Sequence, residues 1–223
     1  MTKYLKLLFW NMISRDVQVE KIGTRDHWYI STNVLSSKPI VIAAGIGFTM
    51  TFELEFARKF ADSIILLLDP SETGVNTVRS ITLPENIVFI AKALGNNDGI
   101  MEFGLPDNPK EGSFISGVLP KDYCNGIIKL ESTSVKNLIE QFGFISVDIL
   151  KMDIEGGEFE VLRNLVKNKI FPRQICLEFH TNKDISIRHT TFEYFKALCI
   201  LWLHGYCVIY RKGKDLTLLR GAK

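Results

Sequence analysis

The chain has 223 residues, enough for one large domain whose hydrophobic core needs no disulfide or metal staple. With 46% hydrophobic, 23% charged and 11% aromatic residues it has the composition of a folded globular protein, not a disordered one. Twenty-seven basic against twenty-five acidic side chains leave a net charge of +2, which argues against a nucleic-acid or polyanion binder.

No stretch reaches the ~18 consecutive apolar residues of a membrane span. Residues 1–13 place Lys3 and Lys6 among Leu5, Leu7, Leu8, Phe9 and Trp10, and predict an amphipathic first helix, not a signal peptide. Cys124, Cys176, Cys199 and Cys207 form no CxxC pair, and Cys176 and Cys207 lie in apolar runs. Reduced thiols and a cytoplasmic setting are therefore expected.

Residues 16–38 are a mixed stretch carrying Trp28 and Tyr29, so residues 1–38 are expected to form an N-terminal helix and cap segment before a domain over 39–223. Residues 39–44 are apolar and β-branched, predict a buried strand, and run into Gly45-Ile46-Gly47. A helix is expected over 51–60, a second buried strand over 63–68 ending at Asp69-Pro70, a short helix over 75–81 and a third strand over 87–91. Residues 92–129, rich in Gly, Asn, Asp and Pro, predict a hairpin or long loop around 100–103. Ser134 is a plausible cap for a helix to Phe142.

A fourth strand over 147–152 ends at Asp153-Ile154-Glu155-Gly156-Gly157, and an amphipathic helix follows over 158–166. A fifth strand over 174–179, a helix over 191–203 and a hairpin of 207–210 with 216–219 complete the order. Near-continuous apolar strands alternating with helices predict an α/β fold: a mostly parallel, doubly wound sheet with an antiparallel C-terminal edge hairpin.

In such a sheet ligands bind beyond the carboxyl ends of the strands, near the point where strand order reverses. Gly45 and Gly47 let backbone come close to a ligand there. Asp69, 24 residues after Gly45 at the end of the next strand, suits a ribose diol. Together they suggest an adenosine-containing cofactor. A dinucleotide fingerprint would need a third glycine at position 50, where the chain has Met50, so S-adenosylmethionine is favoured over NAD.

Asp153, Glu155 and Glu158 crowd one strand end, and three close carboxylates call for a compensating cation, lysine or hydroxyl. Glu158, in the first turn of a helix, also has a purely structural reading through the helix dipole. Glu178 and His180 share one face of the neighbouring strand by the period of two. His180 is suited to take a proton near neutral pH.

These residues resemble the FkbM-type S-adenosylmethionine-dependent methyltransferases. The similarity is carried by residues 147–162, a strand followed by Asp153-Ile154-Glu155-Gly156-Gly157-Glu158 and a helix, and by a strand ending Glu178-Phe179-His180. It extends more weakly over 38–210, including Ala93-Leu94-Gly95-Asn96-Asn97-Asp98-Gly99. The resemblance implies a class I, Rossmann-like methyltransferase fold and O-methylation of a sugar, glycoconjugate or natural-product hydroxyl. The family's first strand commonly ends in an acid before the glycines, where this chain has Ala43-Ala44; Glu53 on the next helix is the expected substitute.

The resulting expectation is a cofactor site of Ala44, Gly45, Gly47, Glu53, Asp69, Ala93 and Asp153. Asp153 or His180 is the expected base, with Glu155 orienting it or the substrate. Glu155, Glu178 and Trp28 are expected to meet a small-molecule or glycan acceptor, with specificity from residues 104–126. A divalent ion on Asp153, Glu155 and Glu178 would lower the hydroxyl's pKa. A decayed, non-catalytic binding module and an NAD-dependent dehydrogenase are the rival readings.

Overall fold

A computed structural model of the chain describes residues 12–14, 16–105, 126–181 and 190–222, and the backbone of 115–116. The expected first helix therefore lies almost wholly outside the described residues, as do Cys124 and most of the 104–126 specificity span.

The first elements are a small antiparallel pair, β1 (Glu20–Ile22) and β2 (Trp28–Ile30), and a 3-10 turn at Thr32–Val34. They are fastened to the main sheet by polar contacts. The buried Gln174 side chain accepts from Ser31 N at 2.8 Å and donates to Ser31 O at 2.9 Å. Asp148 accepts from Ser36 N and from Ile40 N, both at 3.0 Å.

The main sheet uses the apolar runs. Its strands are β3 (Ile40–Ala44), β4 (Ile64–Leu68), β5 (Ile87–Ile90), β10 (Ile149–Met152), β11 (Gln174–Glu178), β12 (Tyr206–Lys212) and β13 (Asp215–Arg220). Their order is β12-β13-β11-β10-β3-β4-β5. Side chains such as Val41, Ile42, Leu66, Ile149 and Leu177 have no exposed surface, and full burial of each is worth about 1.5–3 kcal/mol. Helices cover both faces, as continuous apolar strands require. One core layer packs against α1 (Thr51–Lys59) and α2 (Glu72–Arg79). The other packs against α3 (Val135–Phe142), α4 (Glu158–Asn168) and α5 (Thr191–Leu203).

The structure refines three expectations. Helix α2 begins at Glu72 instead of residue 75, because Ser71 Oγ accepts from Gly74 N at 2.9 Å and caps the turn containing that glycine. The C-terminal hairpin folds inward: β13 inserts between β12 and β11 and runs antiparallel to both, leaving β12 at the edge. The region expected as a hairpin or loop builds a second sheet. Here β6 (Ala93–Gly95), β7 (Gly99–Gly104), β8 (Ile115–Ser116) and β9 (Ile127–Ser134) have the order β6-β9-β7-β8. The Ser134 cap is as expected, accepting from Asn137 N at 3.1 Å.

The chain lays β3, β4 and β5 outward on one side and then returns to place β10 on the other flank of β3. The switch point therefore lies between β3 and β10, where Ala44 pairs with Met152. Gly45 and Asp153 are the next residues on the two strands. No helix among the described residues is long and apolar enough to cross a membrane.

Candidate active site

Gly45 leaves β3 with φ +83, and a Cβ there would lie 1.8 Å from the carbonyl oxygen of Asp153. Only glycine permits both that backbone and that approach. The turn is held from the next strand: Asp69 Oδ2 accepts from Ile46 N at 2.8 Å and Gly47 N at 3.2 Å, while Oδ1 accepts from Ser71 N at 2.8 Å. Asp69 thus organises the glycine turn and the start of α2, and it also lines the cleft above them.

That cleft, open to solvent, is bounded by Ala44, Gly45, Asp69, Ala93, Asp153 and Glu155 of the expected residues. Pro70, Ser71, Leu94, Phe103 and Ile154, which the sequence did not single out, complete most of its wall. Three carboxylates and no Lys or Arg line it among the described residues. A pyrophosphate would meet only like charge there. A ligand with a sulfonium, an ammonium, a ribose diol and a flat apolar base has a partner for each part in this donor set, so the residues fit S-adenosylmethionine.

Three expected residues stand elsewhere: Gly47, whose N–H is taken by Asp69 Oδ2 at 3.2 Å, Glu53 and Trp28. Glu53 has no exposed surface and does not reach the cleft: its Oε1 lies 3.0 Å from Lys151 Nζ, beneath the glycine turn. The same ammonium donates to Gly45 O at 2.9 Å and lies 3.3 Å from Asp26 Oδ2. Burial disfavours its charge, but the carboxylates of Glu53, Asp26 and Asp153 outweigh that and hold it above the ordinary lysine range. Glu53 therefore supports the cleft through Lys151 instead of binding a cofactor directly. Trp28 is 5% exposed in the core against α1, away from the cleft, because its indole packs with Ile22, Ile30 and Phe52. Lys151 and Asp26 carried a signal, since a lysine inside an apolar strand demands a buried acid.

The second part of the site is built on His180, which follows β11 and is 5% exposed. Its Nδ1 lies 3.0 Å from Oε1 of the fully buried Glu158, an oxygen that also accepts from Ile154 N at 3.2 Å. Its Nε2 faces Glu155 Oε2 at 3.3 Å, Glu178 Oε1 at 3.8 Å and Asp153 Oδ1 at 3.9 Å. Burial opposes an imidazolium, but Glu158, Glu155 and Asp153 prevail and raise the pKa to about 9. Burial first, then the Asp153 charge, pushes Glu178 up to about 7. Glu155 sits in the left-handed region at φ +49, a conformation that L side chains seldom adopt. One ligand atom each from Asp153, Glu155 and His180 lie within 4.8 Å of one another, close enough to hold a metal ion.

The methyltransferase FkbM domain matches residues 85–206, more than half of the chain and the whole of the Asp153–His180 cluster. The chain belongs to the FkbM methyltransferase family. Membership makes it an S-adenosylmethionine-dependent methyltransferase, and its seven-stranded sheet with one reversed strand is the class I methyltransferase fold. The matched segment begins after β4, so the reading of the glycine turn and Asp69 rests on geometry alone. Two solved structures are similar in chain course. The fibrillarin pre-rRNA processing protein of Methanococcus jannaschii gives a TM-score of 0.45 at 11% identity, over 94% of this chain and 88% of that one. A fibrillarin–Nop5p complex gives 0.43 at 13%, over 82% and 72%. No curated protein matches the sequence.

Proposed function

We propose that this FkbM methyltransferase methylates a hydroxyl of a small-molecule or glycan acceptor, presented at the cluster of Asp153, Glu155, Glu178 and His180. One observation carries the reading: Asp153 lines the cofactor cleft, and its Oδ1 also lies 3.9 Å from His180 Nε2. A single residue thus joins the place where a methyl donor fits to the group of titratable side chains that would handle the acceptor.

On this reading Ala44, Gly45 and Ala93 shape the cofactor side, and Asp69 meets the ribose while keeping the glycine turn in place. S-adenosylmethionine would supply an electrophilic methyl group from its sulfonium, the S–C bond breaking to leave S-adenosylhomocysteine. Asp153 takes the acceptor's hydroxyl proton as the new O–C bond forms, and Glu155 orients the hydroxyl. His180, kept protonated by Glu158, is a positioning residue that steadies the carboxylates around its Nε2. Glu178 closes the acceptor side. The free thiols of Cys176 and Cys199 are consistent with a cytoplasmic setting.

A second reading puts a divalent cation on Asp153, Glu155 and His180, favoured by the closeness of their ligand atoms. The cation would replace the imidazolium proton and polarise the acceptor oxygen. Methyl transfer to a panel of sugars and polyols, run in EDTA and again with added Mg²⁺ or Mn²⁺, separates the two. Turnover unaffected by EDTA supports proton transfer to Asp153, and turnover restored only by metal supports the cation. No transfer to any hydroxyl acceptor, from protein that binds the cofactor, contradicts the O-methylation reading.

A further inference from the structure

Three carboxylates stand side by side across neighbouring strands at the ligand end of the sheet. Glu178 of β11 pairs with Asp215 of β13, and Asp153 follows Met152, whose partner Leu177 precedes Glu178. By the period of two they share the face of Lys151, Cys176 and Thr217, which form the next row down. Lys212, opposite Asp215 on β12, ends the row at the sheet edge.

The β1–β2 segment covers this face. Thr217 Oγ1 donates to Tyr29 O at 2.6 Å, and Asp26 Oδ2 lies 3.3 Å from Lys151 Nζ. Tyr29 stacks on Tyr210 of β12 with ring centroids 3.9 Å apart, and His27 meets Tyr29 edge-on at 5.7 Å. All three rings and Asp215 are half-buried. His27 Nδ1 has no hydrogen-bond partner among the described residues, which leaves this wall one bond short. Asp215 lies within electrostatic reach of Asp153, His27 and Tyr210, so the aromatic cluster and the carboxylate row meet at its side chain.

The row therefore continues the acceptor side of the site, away from the cofactor cleft. Asp153 to Asp215 is two inter-strand spacings, about 10 Å, and β12 adds a third to make about 14 Å. That is wider than one pyranose ring. Ionised carboxylates only accept hydrogen bonds, so they take hydroxyl donors and repel anions. A tyrosine pair offers an apolar face with a polar rim, which suits the CH face of a sugar.

We propose that Asp215, Tyr29 and Tyr210 form a second acceptor subsite, holding the next ring of an uncharged saccharide whose first ring lies at Asp153 and Glu178. Acidic sugars are rejected by the row. The inference rests on the hydroxyl-acceptor reading above and adds to it the length and charge of the acceptor.

The test reads binding, not transfer. The full chain, with S-adenosylhomocysteine present, is titrated by saturation-transfer NMR with glucose, galactose, mannose and rhamnose, with disaccharides built from them, and with disaccharides whose outer ring is a uronate. At least one uncharged disaccharide should bind about tenfold or more tighter than either of its monosaccharides and than its uronate form. Tyr210→Ala, and separately Asp215→Asn, should remove that advantage, with an unchanged thermal unfolding midpoint showing that the variants are folded. No disaccharide preference in the wild type, equal binding of the uronates, or an advantage that survives both substitutions overturns the proposal. Sugars bound in the expected pattern but never methylated support the subsite and contradict only the transfer reading. Transfer to one-ring acceptors without any two-ring preference overturns the subsite alone.

Discussion

His180 Nδ1 lies 3.0 Å from Oε1 of Glu158, a carboxylate with no exposed surface at the first turn of α4. The pairing fixes the ring, so that Nε2 points at Asp153, Glu155 and Glu178. Glu158→Gln keeps the shape but removes the charge. It should lower the His180 pKa from about 9 toward the ordinary range, and lower kcat roughly tenfold or more with a smaller change in KM. An imidazole titration followed by NMR, together with initial rates, checks both; an unmoved pKa contradicts this role for Glu158.

The raised His180 pKa also makes a statement about stability. In the folded chain the imidazole holds its proton up to about 9, whereas in the unfolded chain it releases it near 6.5. The contribution is therefore fully present below about 6.5 and is lost as pH rises through about 9, with an upper size of about 3 kcal/mol. Thermal unfolding in chelator should show wild type exceeding His180→Gln at pH 6, with the gap closing by pH 10. A gap that widens with pH contradicts the assignment.

Lys151 binds Glu53 at 3.0 Å and Gly45 O at 2.9 Å with 1% of its side chain exposed. Lys151→Met leaves the Glu53 charge buried without its partner and should cost about 3–5 kcal/mol. Combining it with Glu53→Leu should recover much of that loss, while the glycine turn, deprived of the ammonium, stays impaired in cofactor binding. Denaturant unfolding of both variants tests this; additive losses contradict the coupling.

The two glycines of the turn should differ. Gly45→Ala drives a Cβ into the Asp153 carbonyl, while Gly47, at φ +54, has open space around the added atom. Gly47→Ala should cost only the left-handed backbone penalty, about 1–2 kcal/mol. Gly45→Ala should cost more and abolish cofactor binding. Equal effects on unfolding and binding contradict the close approach of β3 and β10.

The strands were legible because a sheet covered on both faces leaves continuous apolar runs, as in Ile40–Ala44 and Ile64–Leu68. Asp69, Asp153, Glu155 and His180 were legible because polar residues directly after such runs gather at one end of the sheet. Glu53 and Lys151 were not paired in advance, since they are 98 residues apart and meet only when α1 packs over β10. Glu158 carried an ordinary helix-start explanation, which hid its contact with His180 until β11 was placed beside α4. Trp28 misled because an aromatic in a mixed segment looks the same whether it awaits a substrate or completes a core.

The cleft between β3, β4 and β10 is the proposed seat of S-adenosylmethionine. Calorimetric titration of the purified chain with S-adenosylmethionine and S-adenosylhomocysteine, repeated on Asp69→Ala, tests it most directly. Binding of both ligands in the micromolar range is expected, as metabolite sites commonly show, weakened at least roughly tenfold in the variant through loss of the carboxylate and its glycine turn. A folded wild-type sample that binds neither ligand, or an Asp69→Ala variant that binds both as well as wild type does, would contradict it.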